Sequence, residues 1–104
     1  MDMDLSEVTP FRRRVYEALL EVPEGEVITY KELGERIGCR SSQAIGQALK
    51  HNPFAKEIPC HRVVKSNLSL GGYFGESEGR LVEEKMQLLR SEGVHINDEG
   101  KIVR

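Results

Sequence analysis

The residues of this chain best suited to covalent chemistry stand together in one heptapeptide, Ile58-Pro59-Cys60-His61-Arg62-Val63-Val64. A thiol reacts as its thiolate. A nearby cation or base lowers the cysteine pKa from about 8.5 and raises the reactive fraction. His61 supplies a base and Arg62 a fixed cation beside Cys60, while Pro59 restricts Ile58 and stiffens the approach to the thiol. Neighbouring side chains on a strand point to opposite faces. Cys60 and His61 therefore cooperate only if the backbone bends between them or a water bridges them. Other roles compete for these residues. A single cysteine is most often a small buried hydrophobe. Cys39, His51, Cys60 and His61 form a possible zinc set, but no pair has the usual C-x2–4-C or H-x3–5-H spacing. A Cys39–Cys60 disulfide would need an oxidising compartment.

The elements that position this heptapeptide must come from one small domain, residues 1–104, because a chain of this length holds a single core. With 38% hydrophobic and 31% charged residues, the composition is that of a soluble globular protein, neither disordered nor fibrous. No apolar run approaches the ~20 residues needed to cross a bilayer, so no membrane partner is expected. Met1-Asp2-Met3-Asp4 lacks the basic and apolar regions of a secretory signal. The expected location is the cytoplasm, with both thiols free.

A net charge of −2 argues at first against a polyanionic partner. Its distribution argues the other way. Residues 1–30 carry 3 basic and 7 acidic side chains, residues 31–65 carry 7 and 3, and residues 66–104 carry 5 and 7. The middle third is therefore a +4 block inside an acidic chain. Such a block is either a solvated face of mixed charge or an anion-binding surface.

Helix signals dominate the first half. Thr9 precedes Pro10 as N-cap, and Phe11, Val15, Ala18, Leu19 and Val22 mark one buried face before Pro23-Glu24-Gly25. Val27-Ile28 reads as a short extended piece. Thr29 and Glu32 stand in capping-box register, predicting a helix over 30–37 that stops at Gly38. A third helix opens at Ser41 or Ser42, buries Ile45, Ala48 and Leu49, and ends at Asn52 before Pro53. Two short helices joined at Gly38 make a helix-turn-helix pattern inside the basic block. Residues 54–64 read as loop then strand. A fourth helix is predicted over 78–90, with Leu81, Val82, Met86, Leu88 and Leu89 as its apolar side and Gly93 as its stop. Asn97-Asp98-Glu99-Gly100 then sits between two short apolar runs as a hairpin turn spanning 94–103. The fold expected is mainly α, a winged helix-turn-helix-like domain with a few short strands and a core over about 9–94.

Pro59-Cys60-His61-Arg62-Val63 resembles the active-site signature of the O6-alkylguanine-DNA alkyltransferases, the methylated-DNA–protein-cysteine methyltransferases. Gly25-Glu26-Val27-Ile28-Thr29-Tyr30 resembles that family's segment leading into the helix-turn-helix. Ala44-Ile45-Gly46-Gln47-Ala48-Leu49 with Asn52-Pro53 resembles its recognition helix and the following turn. Leu70-Gly71-Gly72-Tyr73 resembles its base-closing loop, and Lys85, Leu88-Leu89 and Glu92-Gly93 its last helix. The resemblance implies a monomer that binds O6-alkylguanine in double-stranded DNA from the minor groove and rotates the base out of the stack. Cys60 then takes the alkyl group in one stoichiometric turnover, with no metal or cofactor. It further implies His61 as base through a water, Glu92 as its orienter and Asn52 as brace of the pocket turn. Tyr30, Gly71, Gly72, Tyr73, Arg62 and Val63 would meet the substrate. Arg40, Ser41, Ser42, Gln43, Ala44, Gly46 and Lys50 would meet the DNA. A carboxylate in the last turn of a helix opposes the helix dipole, which gives Glu92 an independent functional hint.

Three departures from the family stand out. Gln43 occupies the place of the intercalating arginine, losing its charge and planar fork. The family's usual N-terminal domain is expected to be absent ahead of the first helix. The stretch over 74–84 is longer than in well-known members and carries Glu76, Glu78, Glu83 and Glu84. Shortness and Gln43 resemble the alkyltransferase-like proteins, which bind alkylated guanine without removing the group and pass the lesion to nucleotide excision repair proteins. Those carry tryptophan where this chain has Cys60. A winged-helix transcription regulator would explain the basic block but not Pro59-Cys60-His61-Arg62. The nucleophile favours alkyl transfer.

Overall fold

The computed structural model describes residues 8–54, 57–70 and 80–103. Helix α1 (Pro10–Leu19) opens as its capping residues predict, with Thr9 Oγ1 accepting from the Arg12 amide. The helix ends three residues before the expected Val22. Two i→i+3 bonds, Glu21 N to Ala18 O and Val22 N to Leu19 O, tighten the chain there and still bury Val22.

Strand β1 (Ile28–Thr29) runs directly into α2 (Tyr30–Ile37). The capping box is complete: Thr29 Oγ1 accepts from Glu32 N, and the Glu32 carboxylate accepts from Thr29 N. Gly38 ends α2 in the left-handed region at φ 71°. Gly34 is required for a different reason. A Cβ there would meet the Cys39 carbonyl oxygen at 2.3 Å, so only glycine lets the turn fold this tightly against the helix. Helix α3 (Ser42–Lys50) starts from Ser41, whose Oγ accepts from Ala44 N, and buries Ile45, Ala48 and Leu49. The Tyr16 hydroxyl donates to the Ala48 carbonyl at 2.6 Å, pinning α3 to α1 inside the core.

Of the described residues in 54–64, expected as loop then strand, only the last two form a strand. Pro59 adopts φ −80°, ψ 64°, an inverse γ-turn closed by Cys60 N to Ile58 O at 2.8 Å. Residues Cys60–Arg62 follow as one 3-10 turn, and β2 is just Val63–Val64. This strand pairs in parallel with β1, Ile28 opposite Val63 and Thr29 opposite Val64. The start of the helix-turn-helix is thereby fastened to the residues that follow the cysteine.

Helix α4 (Arg80–Ser91) carries one surprise. The expected start at Glu78 lies outside the described residues, as do Gly71, Gly72 and Tyr73 and most of the acidic stretch. Leu88, expected on the apolar side, is 41% exposed, whereas Lys85 is 1% exposed. The reason is spacing. Leu81, Lys85 and Leu89 fall four residues apart on one line, and Leu88 lies about 100° away from Leu89. Gly93, at φ 90°, turns the chain into the antiparallel pair β3 (His95–Ile96) and β4 (Ile102–Val103).

Two apolar clusters result. The larger joins α1, α2, α3, Ile58, Cys60 and Val63; the smaller joins Val64, Leu70, Leu89, Val94 and Ile102. Because adjacent strand residues face opposite ways, Val63 and Val64 belong to different clusters. The architecture is mainly helical with a helix-turn-helix and short strands, and the 3-10 turn sits on the seam between these two clusters of the core.

Candidate active site and nucleic-acid interface

A 3-10 turn rotates successive side chains by about 120° instead of the 180° of a strand. That is the bend needed for Cys60 and His61 to serve one site, and both are buried, at 4% and 8% exposure. His61 Nε2 lies 3.0 Å from Glu92 Oε2. Arg62 donates to the same carboxylate twice, from Nε to Oε1 at 2.9 Å and from Nη2 to Oε2 at 2.7 Å. Its Nη1 donates to the Val22 carbonyl at 2.7 Å. Burial pushes the Glu92 carboxyl up, but the hydrogen bonds and charges of Arg62 and His61 outweigh it and hold the group below its ordinary value. An ionised carboxylate only accepts hydrogen bonds, so His61 Nε2 carries the proton and Nδ1 is left as the basic nitrogen.

Lys85 closes the other side. Its Nζ donates to the carbonyls of Val63 and Leu70, both at 2.6 Å. Burial lowers its pKa to about 8, and the negative charge of a Cys60 thiolate nearby partly restores it. The effect is reciprocal: a buried ammonium favours the thiolate. Tyr30, half-buried at the start of α2, has its hydroxyl pKa raised by burial first and by the charge of Cys60 second. Asn52 is buried beneath the approach to the cysteine. Its Oδ1 accepts from Phe54 N at 2.8 Å, and its Nδ2 donates to the Ile58 carbonyl at 3.4 Å.

The structure thus brings Cys60, His61 and Glu92 together, with Tyr30 and Asn52 on adjoining elements. It employs two expected substrate contacts differently. The donors of Arg62 are spent on Glu92 and Val22, and the Val63 side chain is fully buried in the larger core. On the helix-turn-helix, Arg40, Ser41, Ser42, Gln43 and Lys50 are exposed, and Ala44 and Gly46 are half-buried. The outer face of α3 is therefore open and carries little bulk. A cleft of about 330 Å3 lined by Tyr30, Ser42, Gly46, Lys65 and Ser66 adjoins that face. Sequence reasoning used Lys85 only as a marker of the last helix. The signal for its role was its position midway between Leu81 and Leu89 on the buried line. The Val22 carbonyl had no such signal. Among the described residues no group of three or more His, Cys, Asp or Glu is arranged to hold a metal ion, and no helix is long and apolar enough to cross a membrane.

Fold and site together define a helix-turn-helix domain built around a buried thiol flanked by a histidine–glutamate pair. The chain belongs to the 6-O-methylguanine DNA methyltransferase family, whose DNA-binding-domain model matches residues 10–94. A methylated-DNA–protein-cysteine methyltransferase of Metallosphaera sedula is 49% identical over 83 residues, which are 80% of this chain and 49% of that protein. The protein of the same name from Methanothermobacter thermautotrophicus is 39% identical over 90% of this chain and 50% of its own. The chain spans about half the length of the curated relatives it matches. Among solved structures, Mycobacterium tuberculosis OGT in complex with DNA superposes with TM-score 0.73 at 40% identity, covering 82% of this chain and 49% of that one. Atl1 of S. pombe, in complex with damaged DNA containing O6-carboxymethylguanine, superposes equally well (TM-score 0.73) at 28% identity. That match covers 98% of this chain and 90% of Atl1.

Proposed function

We propose that this protein repairs DNA by transferring an alkyl group from O6-alkylguanine in double-stranded DNA to Cys60. The observation that carries the reading is the buried Cys60–His61–Glu92 arrangement on a bent turn. Its carboxylate holds the imidazole, and the buried Lys85 lies close enough to feel the charge of Cys60. His61 Nδ1, through a water, takes the thiol proton. The thiolate then attacks the alkyl carbon in line, the S–C bond forming as the C–O6 bond breaks, and Tyr30 donates a hydrogen bond to the departing guanine. The open face of α3 enters the minor groove, where Gln43 fills part of the space of the flipped base and Arg40, Ser42 and Lys50 meet phosphates. Since the alkyl group stays on sulfur, each molecule acts once and needs no cofactor.

A second reading is a non-catalytic lesion binder that flags O6-alkylguanine for nucleotide excision repair. Coverage of nearly all of Atl1, together with Gln43, supports it. The two readings separate on incubation with a duplex containing O6-methylguanine, followed by intact mass. Transfer adds about 14 Da, one methyl replacing hydrogen on sulfur, and Cys60→Ala abolishes the gain while keeping affinity. Tight binding with unchanged mass selects the lesion binder.

A further inference from the structure

We propose that Arg62 is the positioning residue of the thiol site, setting the orientation and the shared charge of Glu92 and through it the proton equilibrium of His61. The inference rests on the alkyl-transfer reading and concerns a residue that sequence resemblance placed against the substrate. Three observations support it. First, Arg62 spends Nε, Nη1 and Nη2 on fixed acceptors, two on Glu92 and one on the Val22 carbonyl. A bidentate guanidinium holds a carboxylate in one plane, which a lysine cannot do. Second, Glu92 follows α4 directly, where the negative end of the helix dipole disfavours a carboxylate. The Arg62 guanidinium supplies the cation that offsets this repulsion. Third, one oxygen, Oε2, takes both Arg62 Nη2 at 2.7 Å and His61 Nε2 at 3.0 Å. The histidine therefore faces a carboxylate oxygen that it shares with a guanidinium.

The anchoring reaches beyond the pair. Val22 lies in the turn after α1 and is buried, so its carbonyl needs a donor, and Arg62 supplies one. The catalytic turn is thus tied to both ends of the molecule's helical frame, the end of α1 and the end of α4. The charged and titratable groups around it are Glu92 and Glu24 facing Arg62, Arg62 facing His61 across Glu92, and Lys85, Tyr30 and Tyr16 facing Cys60.

The sign of the effect follows from the sharing. In Arg62→Met the whole charge of Glu92 faces His61, so the imidazolium is held more strongly and the base becomes available only at higher pH. Glu92→Gln does the reverse. The test is the titration of the His61 ring nitrogens by long-range 1H–15N NMR, with the pH profile of single-turnover methyl transfer recorded in parallel. The expected result is a midpoint raised by about one pH unit in Arg62→Met, lowered in Glu92→Gln, and intermediate in Arg62→Lys. The plateau transfer rate of Arg62→Met should also fall by roughly tenfold through lost orientation. A His61 midpoint unmoved in folded Arg62→Met and Arg62→Lys, with only a lower Tm, would overturn the proposal and leave Arg62 a structural strut. Should Arg62→Met not fold, Arg62→Lys and Glu92→Gln carry the same comparison. The NMR midpoint needs no DNA. Absence of methyl transfer by the wild type therefore sinks the alkyl-transfer reading, and an unmoved midpoint sinks this one.

Discussion

The two cysteines mark two regions built on opposite plans. Cys39 stands in the turn of the helix-turn-helix, half-buried, its thiol 3.8 Å from the Ser41 carbonyl. What shapes its turn is chiefly local: the Gly34–Cys39 contact, the left-handed Gly38 and the Ser41 cap lie within eight residues, with Arg14 of α1 reaching the Ile37 carbonyl from outside. Cys60 stands in a turn shaped by partners far away in the chain. Its neighbours His61 and Arg62 are held by Glu92, some 30 residues on, and Arg62 reaches back 40 residues to Val22. The first plan makes a stiff, open, polar surface. The second makes a buried electrostatic network on the seam of the two apolar clusters. A surface made by local capping tolerates substitution at its exposed positions, whereas a network made by distant groups fails when any member is removed.

Predictions that break the comparison begin in the buried network. His61→Phe removes the base and should slow methyl transfer by about 10²- to 10⁴-fold, measured by quenched single-turnover assays, with DNA affinity unchanged. An equal loss of affinity would mean that the histidine serves the fold rather than the chemistry.

Lys85→Met comes next. It orphans the Val63 and Leu70 carbonyls, each costing roughly 1–3 kcal/mol when buried without a donor, and removes the cation facing Cys60. Both stability and transfer should drop. The wild type adds a pH signature. Lys85 titrates near 8 in the folded state and at the ordinary lysine value of 10.5 when unfolded. Below about 8 both states are charged, and the cost of burying that charge is fully present. Between 8 and 10.5 the unfolded chain binds the extra proton, so this group's effect on stability becomes more favourable as pH rises. Transfer should move the other way, declining through pH 8 as the thiolate loses its counter-charge. An alkaline limb that survives Lys85→Met would assign it to another group.

The helix-turn-helix region should give the smallest effect. Gln43 is exposed on α3, so Gln43→Arg should leave Tm nearly unchanged while raising the transfer rate a few-fold, by supplying the charge and planar fork that fill a vacated base stack. A gain as large as the loss in His61→Phe would mean that base flipping, not the thiol network, limits the reaction.

The same contrast explains what could be read from the sequence. Caps, boxes and glycine stops are written within a few residues, so α2 was legible to the residue through Thr29, Glu32 and Gly38, and the opening of α3 to within one residue, at Ser41 or Ser42. The candidate nucleophile was legible as a motif, because Pro59, Cys60 and His61 are contiguous. The bend that makes the motif work was not. It depends on Pro59 taking an inverse γ-turn against Ile58, inside a segment that reads only as loop then strand. The long-range partners were legible only in part. Glu92 stood out because it opposes the helix dipole. Lys85 sat on a line of leucines, where a sequence rule favours another leucine. Nothing local marks the Val22 carbonyl as an anchor for Arg62, since a carbonyl's partner is decided by packing.

The central claim is that the buried network, not the helix-turn-helix thiol, is the reactive centre. The most direct measurement incubates the wild type with a duplex carrying O6-methylguanine labelled in its methyl group, then locates the label by peptide mapping across the two cysteines. The account predicts one label per molecule, all of it on Cys60 and none on Cys39. Label on Cys39, or DNA bound with both thiols unmodified, would contradict it.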